Sequence, residues 1–116
     1  MNIAHADLSD KGWYLGPWNS GLPISVGYAN KGIDEPHIHG HITEIYLVAR
    51  GTAEIRVEQQ TIRLGPGDML TVEAGEAHTF LSNSQDYFHF VPHTLGLSGE
   101  AARAEKIIVT RERLGL

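Results

Sequence analysis

His37-Ile38-His39-Gly40-His41-Ile42-Thr43-Glu44-Ile45-Tyr46-Leu47-Val48-Ala49 sets three histidines at alternate positions and then a glutamate at the head of an apolar run. On a strand, alternate side chains share a face, with neighbours roughly 6 to 7 Å apart along it. Two imidazoles at that spacing can converge on one ion. An isolated pair of this kind reads first as a polar face with solvated histidines. Glu44 shifts the balance, because the run it opens is apolar on both faces and an unpaired buried carboxylate there is costly. A metal ion would satisfy it. Downstream, Gly75-Glu76-Ala77-His78-Thr79-Phe80 places another histidine at the head of a second apolar run. Three neutral imidazoles, from among His37, His39, His41 and His78, and the carboxylate of Glu44 suit one divalent transition metal: iron, manganese, nickel, zinc or copper.

Outward from these stretches the text is short β-rich runs divided by turn residues. Strands are expected at Trp13-Tyr14-Leu15, Ile24 to Ala29, Glu44 to Ala49, Met69 to Val72, His78 to Leu81, Tyr87 to Val91 and Lys106 to Thr110. Thr52 to Val57 and Thr61 to Leu64, on either side of Glu58-Gln59-Gln60, read as a hairpin. Asn30-Lys31-Gly32 is a turn, and Gly65-Pro66-Gly67-Asp68 is the strongest turn signal in the chain. Only Gly99 to Glu105, rich in Ala and Glu, reads as helix, and it is too short to build a core. Many short strands with Gly and Pro turns predict an all-β sandwich or closed barrel.

The 116 residues allow one domain, expected over the whole of 1–116. A chain of this size buries roughly two thirds of its unfolded surface, so a core forms without staples. The absence of cysteine excludes disulfides, thiolate nucleophiles and cysteine zinc sites, and fits a cytoplasmic location. Fourteen acids stand against nine Lys and Arg, with no basic run, which argues against a nucleic-acid partner. The segment from Met1 to Asp10 lacks the apolar core of a signal peptide. No apolar run is long enough for a bilayer, so no membrane partner is expected.

The order of these residues resembles that of the cupin superfamily. One cupin motif runs glycine, HxH, glutamate, glycine; here Gly32 precedes His37-Ile38-His39, four residues lead to Glu44, and six more to Gly51. A second has a glycine-led turn, a Pro-x-Gly, a histidine and an asparagine; here Gly67-Asp68, Gly75 and His78 follow in register. The matched stretch runs from Gly32 to about Asn83. Gly32 lies one residue nearer His37 than in the usual pattern, Glu73 replaces the proline, and Ser82 falls on the asparagine position with Asn83 one later. The resemblance implies a single-domain jelly-roll β-barrel of small metal-binding type. Its ligands would be His37, His39, Glu44 and His78.

Parity sketches the rest of the pocket. If Glu44 points inward, so do Tyr46 and Val48; if His78 does, so do Phe80 and Ser82. Phe88 and Phe90 share a face and read as barrel lining, either as core packing or as substrate walls beside Phe80. Tyr46 and Ser82 carry hydroxyls for contact with a small-molecule ligand. His41 shares parity with His37 and His39 but lies outside the family pattern; it reads as exposed or as a neighbour of the ligands. It and Tyr46 are the candidates for proton transfer. His89 and His93 read as surface residues, and His5 as part of a mobile terminus. Trp13 and Trp18 either close one end of the barrel or fill a subunit interface. The apolar edges Trp13-Tyr14-Leu15 and Ile107-Ile108-Val109 predict a homodimer. The expected function is a metal-dependent enzyme acting on a small oxygen-bearing substrate by oxidation, isomerisation or related chemistry. The alternatives are a metal-bearing module that binds or senses a small ligand, and a structural ion.

Overall fold

The computed structural model describes residues 1–7 and 10–116. Its strands in chain order are β1 (Lys11–Leu15), β2 (Ser25–Ala29), β3 (His37–His39), β4 (Glu44–Arg50), β5 (Ala53–Val57), β6 (Gln60–Leu64), β7 (Met69–Val72), β8 (His78–Asn83), β9 (Phe88–His93) and β10 (Lys106–Ile108). One helix, α1 (Gly99–Glu105), precedes β10, and a 3-10 turn at Arg111–Leu114 follows it. The strands pair antiparallel into two five-stranded sheets, ordered β1-β2-β9-β4-β7 and β10-β3-β8-β5-β6. This is the all-β jelly roll expected from the sequence, and β1 and β10 are edge strands. Among the described residues no helix is long and apolar enough to cross a membrane.

The core lies between the sheets and follows the two-residue period of each strand. In β5, Ala53, Ile55 and Val57 are buried while Glu54 and Arg56 face outward. They pack with Tyr46, Val48, Leu64, Val72, Phe80 and Tyr87. The β5–β6 hairpin closes at Val57↔Gln60, and Glu58 takes a left-handed φ of 49° in its tight turn. Asp68 shapes the Gly65–Asp68 turn, its carboxylate accepting from the Gly65 N–H at 2.7 Å.

Gly32 is fixed by space rather than by φ. A Cβ there would lie 2.5 Å from the Phe80 ring. Its N–H donates to Asn83 Oδ1 at 3.0 Å, across 51 residues. Asn83 reaches that position because β8 carries a bulge. Phe80 pairs with Ile55 and Ser82 with Glu54, leaving Leu81 as the extra residue. The bulge absorbs the one-residue offset between Ser82 and Asn83 and reverses the parity of those last two residues of β8.

Candidate metal centre

Both sheets supply side chains to one site. His37 and His39 stand on β3, His78 at the start of β8 and Glu44 at the start of β4. Each of the four offers one ligand atom, and those atoms all lie within 4.8 Å of one another. His37 and His78 are directly opposed across the β3–β8 ladder, with ring centroids 4.3 Å apart. The register of one short pairing thus brings together residues 41 positions apart.

Backbone carbonyls orient two of the imidazoles. His37 Nδ1 lies 2.6 Å from the Glu35 carbonyl and His78 Nδ1 3.1 Å from that of Glu76. In His37, with Nδ1–H donating to the carbonyl, Nε2 is left as the basic nitrogen that could ligate an ion, whereas His78 turns its Nε2 to Glu44. His39 Nδ1 has no such partner; its ring is held by packing on His37 at 5.0 Å and His93 at 5.9 Å.

Glu44 is the common acceptor. Its Oε1 lies 3.0 Å from His39 Nε2 and 2.9 Å from His78 Nε2, and its Oε2 lies 2.9 Å from His93 Nε2. Burial works to raise its pKa, but hydrogen bonds from His39, His78 and His93 outweigh that and hold it well below the carboxylate range. Burial, reinforced by the nearby His78, pushes His37 down to about 4. An anionic carboxylate beside a neutral imidazole is the protonation state that metal ligation requires. The donor set of three imidazoles and one carboxylate therefore fits a divalent transition metal.

The cluster forms part of the wall of a cavity of about 410 Å³. Tyr46, Phe80, His89, Val91, His93 and Trp13 also line it. Burial first, and then the charge of Glu44, raises the Tyr46 phenol well above its usual range, so it keeps its proton. His89 is buried, and its Nδ1 lies 2.6 Å from the Tyr87 hydroxyl. Trp13 sets its ring edge-on to His93 at 5.0 Å and to Trp18 at 6.1 Å. It lines the cavity while keeping half its surface exposed.

Several sequence expectations meet a different placement. His89 and His93, read as surface residues, face inward. Glu44 pairs with His93 and Val48 with His89, and cross-strand partners share a face. The same register turns Phe88 and Phe90 away from the cavity. Phe90 pairs with the exposed Leu47, and the two phenylalanines join Tyr14 and Tyr28 in an aromatic cluster on the outer face of the sheet. Ser82 is exposed because the bulge at Leu81 sets it beside the outward Glu54. His41 is also outside the cavity, with its ring in solvent. The buried Glu105 carboxylate at the end of α1 bonds His41 Nδ1 at 3.0 Å and accepts from the N–H of His41 and, at 2.6 Å, of Ile42. Glu105 thus holds the loop between His39 and Glu44. Tyr46 and Phe80 line the cavity as parity implied, and His5 is exposed. The missed pair, His89 and His93, was visible only as an even spacing; the partner strand that turns them inward cannot be read from it.

Residues 25–95 match the family model of the cupin domain, Cupin_2. The chain belongs to the cupin family. No curated protein matches it in sequence. Among solved structures, Streptomyces PAC13 bound to uridine aligns at TM-score 0.64 and 15% identity, over 86% of this chain and 77% of that one. Another Pac13 structure, described as that of a unique nucleoside dehydratase, aligns at TM-score 0.64 and 12% identity over 93% and 92%. KdgF from Halomonas sp. aligns at TM-score 0.61 and 19% identity, over 76% of this chain and 83% of its own. These likenesses show the shared fold.

Proposed function

We propose that this cupin is a metal-dependent enzyme acting on a small oxygen-bearing substrate. The observation that carries the reading is the convergence of His37, His39, Glu44 and His78, the first three of which line a cavity wide enough for a small molecule. The cavity lies within the range of about 300–1,000 Å³ common for ligand sites. A divalent ion held there supplies Lewis acidity toward an oxygen of the substrate. The chain's own groups do the rest. Tyr46, protonated throughout the ordinary pH range, is placed to give a hydrogen bond beside Glu44. His93 holds the carboxylate oxygen that His39 and His78 leave. Phe80 and Val91 keep water from the inner wall, and Trp13 packs edge-on against His93. His41, bonded to Glu105 in solvent, is set aside as the proton carrier in favour of Tyr46. That nucleoside dehydratase Pac13 shares the fold supports an enzyme over a passive barrel, and its uridine-bound form supports a hydroxylated ligand of nucleoside size.

Metal analysis of tag-free protein tests the first half: about one divalent ion per chain is expected, lost in alanine variants of any of the four ligands. A panel of small hydroxylated and carboxylated compounds, followed by oxygen uptake and NMR with iron(II), manganese(II) or nickel(II) loaded in turn, tests the second. Turnover abolished by Glu44→Ala supports the enzyme. Tight metal-dependent binding without product in every case favours the binding module.

A further inference from the structure

The chain has only three lysines, Lys11, Lys31 and Lys106, and all three line the cavity that holds the ligand cluster. None of the six arginines lines it. Arg63, Arg111 and Arg113 instead pair with Glu54, Asp34 and Glu58. The lysines come from three separate places: the start of β1, the turn after β2, and the start of β10.

Register explains how they meet. Lys11 pairs with Ala29, Ala29 with His89, and His89 with Val48, a row whose other members face inward. Lys31 reaches the cavity from the bend just after Ala29, where β2 has ended. From the opposite sheet, Lys106 pairs with His39 and shares its face. One lysine from each sheet and one from a bend thus line the same cavity, while the protein as a whole carries a formal charge of −5. Acids stand among them as well, Asp34 with Lys11 and Lys31 in an adjoining recess included. Glu35 is bonded to Lys106, which lowers its pKa, and Asp10 lies 3.9 Å from Lys31.

We propose that the substrate is an anion, a carboxylate or a phosphate ester, whose charged end is received by Lys11, Lys31 and Lys106 while its oxygen-bearing end lies toward the histidine cluster. The inference rests on reading this cavity as the active site. A cation cluster inside an acidic protein acts locally, because the net field does not draw anions in and salt screens beyond about 8–10 Å. The competing account is that the lysines serve only to balance Asp10 and Glu35.

The test is calorimetry on matched probes that differ by one charged group: glucuronate against glucose, and uridine 5′-monophosphate against uridine. Each is titrated into zinc-loaded and into chelator-treated protein. The anionic member of at least one pair should bind about tenfold more tightly than its neutral partner. The glucuronate arm identifies carboxylate recognition and the nucleotide arm phosphate. In the double variant Lys31→Gln/Lys106→Gln that preference should fall about tenfold, each exposed pair contributing up to about fivefold. Metal content should stay unchanged. Equal affinity within both pairs, an undiminished preference in the variant, or no binding of either anion at millimolar concentration overturns the proposal. Metal content of the same samples separates the two readings. Protein that holds metal but shows no charge preference sinks only this inference. A charge preference in protein that binds no metal supports the lysines and sinks the metal enzyme.

Discussion

Replacing His89 by asparagine should flatten the acid response of the metal-free protein. His89 is 4% exposed, and its ring packs at 5.0 Å from Tyr46 and 5.5 Å from Phe80. Burial pushes its pKa from 6.5 down to about 4, with Glu44 opposing the shift in part. Above pH 6.5 the imidazole is neutral in both folded and unfolded chains and contributes no pH dependence. Between 6.5 and 4 the unfolded chain takes up a proton that the folded chain refuses, so stability falls with pH; below 4 both are protonated and the loss is complete. At about 1.4 kcal/mol per pH unit, that gap is worth about 3 kcal/mol. Asparagine keeps a polar atom near the Tyr87 hydroxyl and does not titrate. Urea unfolding followed by circular dichroism, with chelator present and at several pH values from 7 to about 4, gives the difference directly. The variant is expected to start less stable at neutral pH, having lost ring packing, yet to lose about 3 kcal/mol less than the parent on acidification. Parallel stability curves would refute a buried neutral His89.

Three further outcomes are expected. His93→Ala frees Glu44 Oε2 and should weaken metal affinity by about 10- to 100-fold without abolishing it; competition with a chromophoric chelator reads this, and unchanged affinity would leave His93 no part in the site. Gly32→Ala drives a Cβ into Phe80, so thermal or urea unfolding should show a loss of about 1–3 kcal/mol; a neutral effect would mean that the ring has room to yield. A homodimer is expected from the exposed Ile107 and Ile108 on the edge strand β10 and from Trp13 on the edge strand β1; light scattering that finds a monomer at micromolar concentration overturns it.

The clustering of these four residues was legible because each carries its own local signal: alternation for His37 and His39, a carboxylate misplaced on an apolar run for Glu44, a strand head for His78. The strands and α1 were legible for the same reason, since period and turn chemistry are local. What could not be read depends on pairing between strands. The inward turn of His89 and His93, and the outward turn of Phe88 and Phe90, follow from which β4 residue β9 meets. Ser82 was misplaced by parity because one bulge, at Leu81, moves it and Asn83 to the opposite faces. The tie between Glu105 and the loop at 40–42 joins residues more than 60 apart and leaves no mark in either stretch.

The four residues of the cluster do not belong to one layer. His37, His39 and His78 stand in the sheet of β3 and β8, whereas Glu44 stands in the sheet of β4. An ion held by all four would be a rivet through the sandwich, and parting the layers at that end would mean breaking a coordination bond as well as exposing apolar surface. Loading the metal should couple amides that otherwise open separately. Hydrogen exchange beside His39 and His78 in one sheet and beside Glu44 in the other should slow together, as one cooperative unit.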